Sequence, residues 1–154
     1  RNDGTGKFVD VATQSGSYFR QKHVGRGATF GDYDNDGDLD LLVVNLNAAP
    51  RLLRNDGGNR NRWLMVDVRR TGGKSHPIGA RVTVTTGSLV QIQDAVPVRG
   101  YLSQTDSRCH FGLGQAARAD RVEIRWPDRS VIVLEDVKTN QVLKVVQPSK
   151  SKEP

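Results

Sequence analysis

Residues 31–40 read GDYDNDGDLD, and the aspartates Asp32, Asp34, Asp36, Asp38 and Asp40 occupy every second position. In an extended chain such side chains share one face. Unit charges about 4–6 Å apart repel by on the order of 1 kcal/mol in water, and by several-fold more near a protein surface. A cation among them removes that cost. The spacing D-x-D-x-D-G-x-x-D offers hard oxygen ligands on a flexible loop. Calcium, which takes about 6–8 oxygens, suits it better than magnesium, which keeps waters and a strict octahedron. Gly37 permits the sharp turn that folds the ligands inward. Side-chain oxygens are expected from Asp32, Asp34, Asp36 and Asp40, with Asp40 a candidate for bidentate binding. Asp38, at the seventh place, is expected to offer its backbone carbonyl and to turn its carboxylate to solvent. Tyr33 and Asn35 are read as non-ligands.

An EF-hand loop carries glutamate at its twelfth place, and Val43 stands there. Strand-like rather than helix-like segments flank this loop. The bland alternative is a solvated turn, since Asp and Asn favour turns, but turns are rarely so dense in carboxylates.

Other residues with chemistry in them point less sharply. Cys109 is the only cysteine, which excludes an intrachain disulfide framework and a cysteine-based zinc site. Its neighbour His110 points to the opposite face of a strand, so Cys109 is read as a small buried apolar residue. An enzyme centred on His110 or Asp106 would need a convergent acid–base set or a Ser or Cys motif, and neither is present. A non-enzyme is expected, with His110 packed or hydrogen-bonded. HFGLG (110–114) lacks the third glycine and the helix of a phosphate loop, and reads as a strand-ending turn. His23 and His76 sit in loop-like stretches without metal spacing. GYLSQTD (100–106) reads as a surface connection or a binding loop. Trp63 and Trp126 are read as core anchors.

These residues must be positioned by strands. RNDG occurs at residues 1–4 and again at 54–57, and each copy is expected to close a hairpin. Between them, strands are expected at 7–11, 28–32, 39–45 and 51–55, the content of one propeller blade. A blade cannot bury both faces alone, so sister repeats are expected upstream and the chain is read as a C-terminal piece. Beyond residue 59 the stretches 62–68, 80–86, 89–95, 108–112, 121–126, 130–136 and 141–146 alternate or run β-branched between turn signals. Seven strands without a helical period predict a β-sandwich or small barrel. The fold class is therefore all-β, with a blade at 1–58, a second β domain at 59–147 and a disordered tail at 148–154. The longest aliphatic runs, 41–44 and 131–134, are four residues, far short of a membrane span.

Charge is uneven. Residues 1–60 hold eight Lys/Arg and eight Asp/Glu, while residues 61–154 carry the whole net charge of +6. A polyanion such as a glycosaminoglycan or nucleic acid is thus an alternative partner, although the cations are scattered.

The segment GRGATFGDYDNDGDLDLLVVN (25–45), with RNDG on both sides, resembles the FG-GAP/VCBS repeat of integrin-α-like propellers. That repeat carries a calcium loop of the same spacing, which supports the ligand roles given above. Residues 61–147 resemble the ASPIC/UnbV domain through NRWLMVDV (61–68), HPIGARVTV (76–84), RGYLSQTDSRCHFGLG (99–114), RVEIRWPD (121–128) and NQVLKV (140–145). The resemblance implies a secreted, cell-surface or periplasmic protein that binds a protein or glycan partner, with no reaction attached. One departure is that such proteins carry several repeats, and this chain has one. The exposed strand edges of a lone blade are expected to invite self-association.

Overall fold

A computed structural model gives the fold, and it describes residues 1–72, 75 and 77–149. His76 and positions 150–154 of the expected tail lie outside the described residues. Among the described residues ten of the eleven expected stretches become strands, and the helical residues are confined to three one-turn 3-10 segments, Ala12–Gln14, Tyr18–Arg20 and Gly58–Arg60. The all-β class holds, and none of the three sheets closes on itself.

The first sheet is a meander of β1 (Gly25–Gly31), β2 (Asp40–Asn45) and β3 (Arg51–Leu53). The β1–β2 ladder ends at the pair Gly31 and Asp40, so the acidic run is the hairpin loop itself. Two expectations for this half are corrected. Residues 7–11 form no strand, because no neighbouring strand offers a ladder: Phe8 makes only an isolated bridge to Asn2 and stays 80% exposed. The second RNDG closes no hairpin. After it the chain runs through Gly58–Arg60 into a different sheet.

All seven strands expected in the second half are present: β4 (Arg62–Arg69), β5 (Ala80–Thr86), β6 (Leu89–Ala95), β7 (Cys109–Gly114), β8 (Arg118–Arg125), β9 (Val131–Lys138) and β10 (Gln141–Val146). They form a three-stranded sheet ordered β10-β4-β7 and a four-stranded sheet ordered β6-β5-β8-β9. Among the described residues only the β10–β4 pairing is parallel. Of the two architectures expected, the sandwich is the one built. Leu64, Val66 and Phe111 from one sheet meet Val82, Val122 and Ile124 from the other in a single buried cluster. Strand alternation produces this seam, since every second side chain faces it.

Trp126 lies in that core, just past the end of β8. Trp63 does not, which corrects its reading as a core anchor. It shares the outer face of β4 with Met65 and Asp67, opposite Leu64 and Val66. Met65 and Asp67 are nonetheless buried. Phe30 and Leu39, from the first sheet and its loop, line a cleft with Met65 and His110, so the first sheet and its loop cover this side of the sandwich.

Cys109 faces the core with no exposed surface, and burial pushes its thiol up to about 11. A thiolate is the reactive form. The native protein is therefore expected to resist a chromogenic disulfide reagent at pH 8 and to react fully in denaturant. Rapid labelling of the native form would show that the seam opens.

Candidate metal centre

Asp32 leaves β1 and Asp40 begins β2. The loop between them curls through two residues with left-handed backbone, Asn35 (φ 59°) and Gly37 (φ 98°). The curl turns loop amides onto loop carboxylates. Asp32 accepts from the N–H of Asp36 (3.1 Å, Oδ1) and of Gly37 (3.0 Å, Oδ2). Asp40 accepts from Tyr33 (3.2 Å, Oδ2) and from Asn55 (2.9 Å, Oδ1). Asp36 Oδ1 accepts from Asp38 N–H at 3.1 Å. Burial pushes the Asp32 carboxyl above the ordinary aspartate value, against the pull of the Gly37, Asp36 and Asn35 amides and of the Arg108 charge.

One oxygen from each of Asp32, Asp34 and Asp40 lies within 4.8 Å of the others. Two calcium–oxygen bonds span up to about 4.6–5.2 Å across an ion. The trio therefore fits a common hard cation, and its all-oxygen donor set is the kind calcium takes. Asp36 and Asp38 stand outside this trio. Asp38 also corrects an expectation, for its carboxylate is not in solvent. The residue is 2% exposed, and Oδ2 accepts from the N–H groups of Gly57 and Gly58 at 3.0 Å each, while the buried Oδ1 has no partner. The second RNDG copy thus serves as a lid of amides over the loop.

The sandwich grips the same loop. Arg108, held by Asp106 through Nε at 2.7 Å, donates to Asn35 Oδ1 at 2.8 Å and to the Asp32 carbonyl at 3.1 Å. His110 Nε2 lies 2.9 Å from the Gly37 carbonyl, which only accepts, so that nitrogen carries the proton. The His110 ring stacks beside Trp63, with planes 13° apart. Trp63 packs so closely that a Cβ on Gly37 would fall 2.0 Å from its Cε2 atom. Asn59 donates to the Asp36 carbonyl at 3.1 Å.

His110 is thus packed and hydrogen-bonded, as expected of it. β7 ends at Gly114, with φ 60°, in a turn that closes through Ala116 N–H to the Leu113 carbonyl at 3.1 Å. The 100–106 segment runs beside β1, where Thr29 donates to the Gln104 carbonyl at 2.7 Å and Asp106 N–H to that of Phe30 at 3.4 Å. His23 stacks on Tyr18 with ring centroids 4.3 Å apart. Sequence reasoning missed Arg108, Asn59 and the Gly57–Gly58 amides as partners of the loop. The signal that could have found Arg108 is the alternation in RCHFG, which puts it on the His110 face, away from Cys109 and Phe111.

An aspartate-rich hairpin loop seated on an open β-sandwich defines a two-part β-module. Compared with known families, residues 1–43 match the FG-GAP-like repeat and residues 70–152 match ASPIC and UnbV. The second match covers more than half of the chain, and the chain belongs to the ASPIC and UnbV family. It begins just past β4, although β4 is the central strand of its sheet. Over 132 residues, 80% of this chain, the sequence is 33% identical to cartilage acidic protein 1 of Mus musculus and of Homo sapiens. It is 31% identical to that of Xenopus tropicalis, again over 132 residues. The matched stretch is 20%, 19% and 20% of those proteins, so the chain spans about a fifth of the length of the curated relatives it matches. Among the described residues no helix is long and apolar enough to cross a membrane.

Proposed function

We propose that this chain is a non-enzymatic, calcium-binding β-module of a secreted, cell-surface or periplasmic protein, acting in binding or adhesion to a protein or glycan partner. The observation that carries the reading is the convergence of Asp32, Asp34 and Asp40 oxygens within 4.8 Å at the end of a hairpin. These three would hold the ion, with Asp36 and the Asp38 carbonyl as further oxygen donors. The ion supplies charge neutralisation where burial already disfavours the ionised Asp32 carboxyl. The family relationship supports the reading, since the acidic loop falls within the part that matches the FG-GAP-like repeat. We place the division between blade and sandwich at residues 58/59 and regard β1–β3 as an incomplete propeller blade. Leu42, Val44 and Leu52 share one face of that sheet and are left exposed, as a face awaiting a neighbour would be.

The competing readings lose ground on the same grounds of geometry. A polyanion binder needs clustered free cations, and five of the second half's fifteen, Arg69, Arg81, Arg108, Arg118 and Arg121, each pair with a carboxylate. An enzyme centred on His110 or Asp106 would have to release those residues from holding the loop.

The test uses Asp34, which is exposed, so its loss leaves the metal-free fold intact. At calcium 100-fold above its dissociation constant, binding to the folded state contributes about 2.7 kcal/mol. A chain of this size then melts about 5–10 °C higher. Millimolar calcium is expected to give that rise in the wild type, a chelator to reverse it, and Asp34→Ala to abolish it. A wild-type melting temperature indifferent to calcium overturns the proposal.

A further inference from the structure

Sequence separations of 73 to 76 residues lie between the acidic loop and the two residues that grip it, Arg108 just before β7 and His110 within it. Every grip falls on a group that is not one of the convergent carboxylate oxygens. Arg108 takes the Asp32 carbonyl and the Asn35 side chain, and His110 takes the Gly37 carbonyl. They bracket the loop at its first, fourth and sixth places and leave the oxygens of Asp32, Asp34 and Asp40 to one another. The Arg108 guanidinium is itself paired with Asp106, so the couple adds no net charge beside the loop. Beyond the pull of its charge on the Asp32 carboxyl, its action is geometric: it holds the curl that brings the carboxylates together.

We infer that Arg108 and His110 are positioning residues of the loop's cation site, so that calcium occupancy and the docking of the hairpin sheet on the sandwich form one coupled equilibrium. The inference rests on the calcium reading above. A free loop must lose conformational entropy when it closes on an ion, whereas a loop already curled by the sandwich has lost it beforehand. Docking therefore raises calcium affinity, and by reciprocity calcium tightens docking by the same factor.

The experiment is a calorimetric titration with calcium chloride on four proteins. They are the wild type, Arg108→Gln combined with Asp106→Asn, Asn35→Gly, and a control, Arg81→Gln combined with Asp94→Asn. The first pair of changes leaves net charge unaltered and removes the guanidinium grip. Asn35→Gly removes the acceptor at a position whose φ of 59° suits glycine, so it serves even where the double variant does not fold. The control removes an ion pair on the opposite sheet. Calcium affinity is expected to fall about tenfold in both loop-grip variants, within the usual range of coupling between sites, and to stay unchanged in the control. Hydrogen exchange adds a readout that a merely structural role would not move: calcium is expected to slow exchange across β7 in the wild type and not in the double variant. Equal affinity in all four proteins overturns the inference while leaving the calcium reading in place. A wild type that takes up no calcium overturns that reading itself, and the inference falls with it.

Discussion

Gly37→Ala is expected to lower the melting temperature by about 10 °C and to weaken calcium uptake with it. Two independent costs meet at this residue. Its φ of 98° lies where a side chain is strained by about 1–2 kcal/mol. An added Cβ would also stand 2.0 Å from Trp63 Cε2 and 2.1 Å from Nε1, where something must move. Trp63 is no flexible tip, because its ring is stacked against His110, which in turn donates to the Gly37 carbonyl. Overpacking of this kind costs about 1–3 kcal/mol more. Together the two give about 2–5 kcal/mol, or about 5–20 °C at this chain length. Two control substitutions separate the causes. Gly16 has φ 116° with open space around it, so Gly16→Ala carries strain alone; Gly112 has neither a positive φ nor a near neighbour, so Gly112→Ala carries neither cost. Thermal melts of the three should rank Gly37→Ala lowest and Gly112→Ala highest. Equal melts for Gly37→Ala and Gly16→Ala would mean that the loop does not pack on Trp63 in solution.

The same glycine explains where sequence reasoning stopped. Five aspartates at alternate positions share a face only while the chain stays extended. Asn35 and Gly37 leave that region, and the parity breaks between them. Asp32, Asp34 and Asp40 converge, whereas Asp38 turns towards Gly57 and Gly58. The sandwich was far more legible, because each strand is reported by its own alternation. The bounds of β5, β6 and β10 agree with the expected stretches to the residue. Residues 7–11 alternate just as well yet form no strand, since a strand also needs a partner ladder. Trp63 shows a related limit. The inward set Leu64, Val66 and Val68 fixes its parity as outward, but nothing local says that an acidic loop will cover it. The register between loop and β7 is a long-range property, carried by Arg108 and His110.

Phe111→Ala separates core from site, because β7 presents opposite faces to each. Cys109, Phe111 and Leu113 face the seam, and His110 faces the loop. Phe111 has no exposed surface and is among the largest buried side chains. Its truncation removes buried apolar area and leaves a cavity, together worth about 3–5 kcal/mol. The sandwich should then melt about 10–15 °C lower. The hydrogen bonds of His110, within β7, and of Arg108, adjoining its first residue, depend on the backbone course of that strand, which the ladder to β4 maintains from Cys109 onward. At a temperature where the variant is still folded, its calcium dissociation constant is therefore expected to match the wild type, while Arg108→Gln with Asp106→Asn shows the reverse pattern, a small loss of core stability and a weakened site. A calcium affinity that falls in Phe111→Ala as far as in the Arg108 variant would mean that cavity relaxation moves the strand, and that the two faces of β7 are not independent.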